Sequence, residues 1–112
     1  MAIDFYDFGH IVVDGRAYDY DIIIFEGTVL RWTRRQSHLL EIEDLREALR
    51  ESPDIVLIGN GYNGLMKVPD QVMHAIGAQG IEVIVEKTTE VVRRFNELPK
   101  SRRAIAALHI TC

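Results

Sequence analysis

The stretch IVLIGNGYNGLMKVPDQVMHAIGAQGIEVIVE, Ile55 to Glu86, decides the fold of this protein. It begins and ends with unbroken apolar runs, which are typical of parallel strands that are buried on both faces. Between the runs, Pro69 suits the first turn of a helix, where its missing N–H costs nothing. Gly80 suits the end of that helix. The stretch therefore predicts two parallel strands joined through a loop and a helix.

The segments on either side extend this alternation of helix and strand. Upstream, Ile42, Leu45 and Leu49 have the spacing of one apolar helical stripe. Downstream, Thr88 or Thr89 is predicted to cap a third helix. The apolar run AIAALHI then predicts a last strand, although its length also allows a helix.

The N-terminal third is predicted instead to form β-hairpins. Asp14-Gly15 lies between runs of strand-forming residues, and this pair favours a tight hairpin turn because both positions can take positive φ. Glu26-Gly27 predicts a second turn after the extended run RAYDYDIIIF. We therefore predict a single three-layer α/β domain over residues 1–112. Its N-terminal β-hairpins precede an α-β-α-β-α-β region with a mostly parallel central sheet.

The composition argues against several classes of protein. The 112 residues carry 13 basic and 17 acidic side chains, and a net charge of −4 argues against non-specific nucleic-acid binding. No specific nucleic-acid partner is expected either. No apolar run reaches the roughly 20 residues that span a bilayer, so membrane insertion is not expected. The N-terminal segment lacks the features of a secretory or mitochondrial targeting sequence. These observations predict a soluble cytoplasmic protein and leave self-association open.

The glycine-rich loop from Gly59 to Gly64 matches Gly-x-Gly-x-x-Gly literally. An acid about twenty residues further on, Glu86, is also what a dinucleotide-binding fold uses for the ribose. However, Pro69 starts the helix too late for the pyrophosphate to lie at its N-terminus. A turn that needs positive φ and a small-ligand or anion site made by backbone N–H groups are the alternatives. The candidate ligand or anion residues are Gly59, Asn60, Gly61, Asn63 and Gly64.

No other motif predicts a catalytic or metal site, and no cofactor is expected. The histidines have no metal-ligand spacing. The single cysteine, Cys112, is predicted to lie in a mobile terminus, which makes a thiol-dependent enzyme the weakest hypothesis.

The segment RWTRRQSH is the most unusual stretch that we expect to be exposed. Its basic and aromatic side chains suit either an edge strand protected by charge or a contact surface for a partner protein. The basic run KSRR could extend the same surface. The candidate partner-contact residues are Trp32, Arg34, Arg35 and His38.

Several blocks of this sequence together resemble one known family. They are YDFGHIVVDGRAYDYDIIIF, RWTRRQSHLL, LIGNGYNGLMKVP, GIEVIVEKTTEVVRRFNEL and AIAALHITC. The family is a small domain of unknown function that includes the mitochondrial respiratory complex I assembly factor 3 and the adipogenesis-associated domain proteins. The family's glycine and Trp–Arg–His blocks match Gly59, Gly61, Gly64, Pro69, Trp32, Arg34 and His38.

The resemblance implies a three-layer α/β fold with no established catalytic activity. It also implies action through protein partners, as the assembly factor acts. The sequence-based hypothesis is therefore a non-enzymatic interaction or assembly-factor-like protein with an unidentified protein partner. The alternative is a protein that binds a small ligand, an anion or a nucleotide at the Gly59–Gly64 loop.

Overall fold

The computed structural model describes residues 1–112 as a mixed α/β fold with two sheets and three α-helices. The strands are β1 (Ile3–Asp7), β2 (His10–Val13), β3 (Arg16–Tyr18), β4 (Ile22–Phe25), β5 (Thr28–Arg31), β6 (Ile55–Asn60), β7 (Glu82–Glu86) and β8 (Ala104–His109). The helices are a 3₁₀-helix (Ile42–Leu45), α1 (Arg46–Leu49), α2 (Asp70–Gly77) and α3 (Thr88–Glu97). The longest helix, α3, has 10 residues, and none of the helices could span a membrane.

The larger sheet has the strand order β5-β4-β8-β6-β7. As predicted, β6 pairs in parallel with both β7 and β8. The prediction of a mostly parallel sheet is confirmed only in part, because β4 is antiparallel to both β5 and β8 and the sheet is therefore mixed. The reason is that one of the N-terminal hairpins does not stay separate but extends the parallel strands beside β8.

Both predicted hairpin turns are present. Asp14 and Gly15 have φ of 48° and 80°, and Glu26 and Gly27 have φ of 45° and 78°. Two successive positive φ values match the twist of the flanking strands. The run between these turns is not one strand, since β3 belongs to the small sheet β1-β2-β3 and β4 to the large one.

The core lies on both faces of β6, because neighbouring side chains of a strand point to opposite faces. Val56 and Ile58 pack in one buried cluster with residues of α1 and α2. Ile55 and Leu57 pack in a second cluster with α3 and the small sheet. Burial on both sides explains why β6 carries no polar residue before its last position.

The third predicted helix begins where expected but is not capped as expected. Lys87 occupies the N-cap position of α3, and no side chain caps the helix there. Thr88 is its first residue and is completely buried. Its hydroxyl is used in a different contact, which belongs to the candidate site.

Candidate functional site

The carboxyl ends of two parallel strands meet at one edge of the large sheet. The Gly59–Gly64 loop starts in the last residues of β6, and His109 ends β8 beside it. Because β4 runs the other way, its preceding residue, Asp21, lies at the same edge. Ligands of α/β proteins usually bind at this edge.

The backbone N–H groups of the loop bind mainly to the protein itself. Three of them have partners beyond the sheet: Gly61 donates to the Thr88 hydroxyl at 2.9 Å, Tyr62 to the Thr111 carbonyl at 2.7 Å, and Gly64 to the Gly61 carbonyl at 3.2 Å. The N–H of the next residue, Leu65, donates to the Cys112 carbonyl at 3.0 Å. These bonds tie the loop to the segment after β8. They also hold the main chain of Cys112, which was predicted to be mobile. Few N–H groups of the loop therefore remain to hold an anion.

Thr88 connects the loop to the end of β8. Its Oγ1 accepts the Gly61 N–H and donates to the His109 carbonyl at 2.7 Å. A Cβ on Gly59 would stand 2.7 Å from that same oxygen, closer than real Cβ atoms come. Gly59 is therefore required by the close approach of α3, and this is a packing reason for a glycine in the motif.

Two features expected of a dinucleotide site are used differently here. The helix after the loop begins at Asp70, well beyond the glycines. The Glu86 carboxylate binds the Arg94 guanidinium through two hydrogen bonds of 2.8 and 3.0 Å. This carboxylate is thus engaged within the protein instead of facing the loop freely.

A buried ionic cluster lies directly behind the loop. The Asp21 Oδ2 atom is 2.7 Å from Arg34 Nη1 and 2.8 Å from His109 Nδ1. The side chains of Arg34 and His109 are each only 4% exposed. The other Asp21 oxygen accepts the Ile110 N–H at 2.8 Å, so one carboxylate joins β4, β8 and the segment after β5.

The cluster keeps Asp21 ionised. Burial alone would raise the pKa of this carboxyl, but hydrogen bonds from His109, the Ile110 backbone and Arg34 outweigh burial and lower the pKa below its ordinary value. His109 Nδ1 lies 2.8 Å from Asp21 Oδ2 and 3.1 Å from Arg34 Nη2, and we assign the ring proton to Nδ1 because the carboxylate is the nearer group. His109 Nε2 then points away from Asp21, and it is buried without a hydrogen-bond partner in the protein.

Tyr6 covers the same region from the small sheet. Its hydroxyl donates to the Ile110 carbonyl at 3.0 Å. Burial raises the pKa of Tyr6 to about 12, and the nearby Asp21 carboxylate adds to this increase. The phenol is therefore a hydrogen-bond donor over the whole neutral range.

The predicted partner-contact residues do not form one exposed surface. Trp32 is 6% exposed, and its Nε1–H donates to the Asp44 carbonyl at 2.9 Å. Arg34 lies 4.5 Å above the Trp32 ring and is buried in the ionic cluster. The expectation of exposure is wrong for these two residues, because the chain turns into the core after β5. Arg35 and His38 are exposed, and the His38 ring stacks edge-on against His109 at 5.9 Å.

The second basic run does not extend this region. Arg103 precedes β8, whereas His109 ends it, so the two lie at opposite edges of the sheet. Arg103 instead pairs with Glu26 at 2.9 Å and donates to the Ser52 carbonyl.

One family of known proteins matches nearly the whole chain. Residues 3–110 match the family described as "Protein of unknown function (DUF498/DUF598)". The chain belongs to that family. The predicted membership of a small family of unknown function is therefore confirmed.

Solved structures of similar proteins have the same fold as this family member. A conserved hypothetical protein of Pyrococcus horikoshii is 30% identical, with a TM-score of 0.91 and full coverage of both chains. A protein called MT938 is 28% identical, with a TM-score of 0.83 and coverage of 99% of this chain and 98% of that one. A Bartonella henselae protein, named an outer membrane protein, is 24% identical, with a TM-score of 0.83 and coverage of 98% and 94%. The last of these supports the fold alone.

Four residues of this site were not predicted from the sequence: Tyr6, Asp21, Thr88 and His109. One signal was available, because His109 stands inside the apolar run of β8, where a polar ring needs a buried partner. Nothing local identifies Asp21 as that partner, since 88 residues separate the two.

Proposed function

We propose that this chain is a protein-interaction domain of the assembly-factor kind. The observation that carries this proposal is an exposed apolar ridge at the glycine loop, formed by Phe8, Tyr62 and Leu65. These side chains are 50%, 42% and 54% exposed. Exposed aromatic residues grouped in this way are typical of protein contact surfaces.

The aromatic rings of the ridge contact one another. The Phe8 and Tyr62 rings meet edge-on with centroids 5.9 Å apart, and Tyr6 lies 6.2 Å from Tyr62 on the inner side. The Tyr62 backbone is held by Thr111, as described above. A side chain that is already fixed loses little entropy when a partner binds it.

One exposed residue of the predicted partner surface, His38, lies close to this ridge. The Lys67 N–H donates to the His38 carbonyl at 2.8 Å, which places His38 beside the segment that carries Leu65. Arg35 lies further along the same stretch and is also exposed. We expect an apolar segment of a partner protein to bind to this ridge. The cytoplasm remains the predicted location.

The proposal is tested by capturing partners with tagged protein from its native cells. The wild type is compared with a Tyr62→Ser, Leu65→Ser double variant and with Phe5→Ser as a control, because Phe5 is 51% exposed but lies in the small sheet. We expect a specific partner that the double variant loses and the control retains. Capture that is equal for all three proteins, or no specific partner, would overturn the proposal.

Binding of a small ligand or anion at the Gly59–Gly64 loop is the second candidate function. It is favoured by buried polar atoms that have no partner in the protein, His109 Nε2, Arg34 Nε and Asn60 Oδ1. A thermal-shift panel of nucleotides, phosphate and organic acids tests it. A ligand present at 100 times its dissociation constant would add about 2.7 kcal/mol of stability. Unchanged melting with every compound would remove this candidate.

A further inference from the structure

A groove of about 760 Å³ lies on the face of the large sheet that α1 leaves open. Its apolar lining includes Ile23 and Phe25 of β4 and Leu30 of β5. Leu30 pairs directly with Ile23, so it points to the same face, yet it is 58% exposed. The only tryptophan, Trp32, also lines this groove. The sheet therefore presents an apolar surface that no helix of the chain covers here.

One wall of the groove carries charges without partners. Glu43, Glu47 and Glu51 line it at intervals of four residues, and all three are exposed. None forms an ion pair in the protein. Glu43 lies in the 3₁₀-helix, Glu47 in α1 and Glu51 just after α1, so the three carboxylates follow one another along this wall.

The cationic side chains around the groove do not neutralise this row. Arg31 stacks over the Tyr20 ring at 4.5 Å, and Arg35 pairs with Glu41 at 3.6 Å. The fourth glutamate of the lining, Glu26, is already paired with Arg103. The lining carries five carboxylates and two guanidinium groups, and the carboxylates without an ion pair lie on the helical wall, so the net charge of the groove is negative.

We propose that this groove docks an amphipathic, basic α-helix of a partner protein. Its apolar stripe would cover Leu30 and Phe25, and lysine or arginine residues one turn apart would face the row of glutamates. A helix suits this wall, because basic side chains one turn apart on a helix lie on one face and can each meet one carboxylate of the row. It would also continue the helical layer that α1 and α2 form on this face. The inference rests on the proposed interaction function.

The test is a selection from a displayed library of amphipathic helical peptides, about 18 residues or five turns long, with random polar positions. We expect enrichment of peptides with basic residues at four-residue spacing. Binding of each selected peptide is then measured by the fluorescence of Trp32. In a Glu43→Gln, Glu47→Gln, Glu51→Gln variant the affinity should fall about tenfold, because three partly exposed ion pairs are lost.

A matched variant controls for net charge. Glu82→Gln, Glu90→Gln, Glu97→Gln also removes three carboxylates, but none of them lines the groove, and it should bind the peptides as the wild type does. No enrichment, enrichment of acidic or uncharged peptides, or equal weakening by both triple variants would overturn the inference. If the selection fails while capture of a partner still depends on Tyr62 and Leu65, this inference falls and the proposed function stands. If capture fails while the selection succeeds, the proposed ridge falls instead.

Discussion

Gly61 lies against the backbone of Cys112 so closely that a Cβ on Gly61 would stand 2.3 Å from the Cys112 carbonyl carbon. Its φ is +112°, which L-residues rarely adopt. The second glycine of the loop is thus required twice, for its conformation and for the space that the neighbouring segment occupies. This relationship links the glycine loop to the segment after β8 and not to a phosphate.

Gly61→Ala should therefore destabilise the fold more than a glycine substitution that meets only backbone strain. We expect a loss of more than about 3 kcal/mol in the free energy of unfolding. Gly27→Ala is the matched control, because Gly27 has a φ of +78° but open space around it, and it should cost about 1–2 kcal/mol. Urea unfolding followed by Trp32 fluorescence measures both. Equal losses would show that the contact with Cys112 contributes nothing.

Thr88→Val removes the hydroxyl of Thr88 but keeps the shape of its side chain. The substitution leaves the Gly61 N–H and the His109 carbonyl without their buried partner, so we expect a cost of about 2 kcal/mol or more. Thr88→Ser keeps both hydrogen bonds and should cost about 1 kcal/mol for the lost methyl group. Amide exchange at Gly61 should accelerate only in Thr88→Val. Unchanged exchange there would contradict the assigned contact.

Asp21→Asn should remove an acid-sensitive part of the stability. The pKa of Asp21 is lower in the folded than in the unfolded protein, so its contribution is complete above the unfolded pKa and is lost as the pH falls through the folded value. At neutral pH the variant should lose about 3 kcal/mol, because Arg34 is left buried without its anion.

The measurement for Asp21 is unfolding by urea between neutral and strongly acidic pH. The difference between wild type and Asp21→Asn should shrink as the pH is lowered. Asp19→Asn is the control, since Asp19 is exposed and close in the chain. A difference that stays constant down to the lowest pH would contradict a low folded pKa.

Tyr6 should give a distinct signal in alkaline titration. Its pKa is raised from 10.0 to about 12, so its stabilising effect is complete below pH 10.0 and is lost as the pH rises through about 12. Ultraviolet difference absorbance should show one phenol that ionises near pH 12. Tyr6→Phe should lack this transition, whereas Tyr18→Phe should keep it. A Tyr6→Phe titration that still contains the transition would refute the assignment.

Features that depend on neighbouring residues could be predicted from the sequence. The positive φ values of Asp14-Gly15 and Glu26-Gly27 follow from the residues themselves, as does the start of a helix directly after Pro69. The parallel pairing of β6 with β7 and β8 follows from their apolar runs. Each of these signals lies within a few residues of the structure that it specifies.

Features that depend on distant contacts could not be predicted in the same way. The pairing of β4 with β8 makes the sheet mixed, and it joins segments about eighty residues apart. The RWTRRQSH segment is mostly polar in composition, but Trp32 and Arg34 are buried because Asp44 and Asp21 provide hydrogen-bond partners for them. The same is true of the loop glycines, because the residues that leave no room for a side chain at Gly59 and Gly61 are Thr88 and Cys112, which are distant in sequence.

The place of β8 in the sheet has a consequence for how the chain is made. This strand is the last one along the sequence, yet it lies in the middle of the large sheet, between β4 and β6. During synthesis on the ribosome, the β4–β5 hairpin and the β6–β7 pair emerge first and share no ladder of backbone hydrogen bonds. The domain can close only after residues 104–109 leave the exit tunnel, so its folding is completed late and depends on contacts distant in sequence.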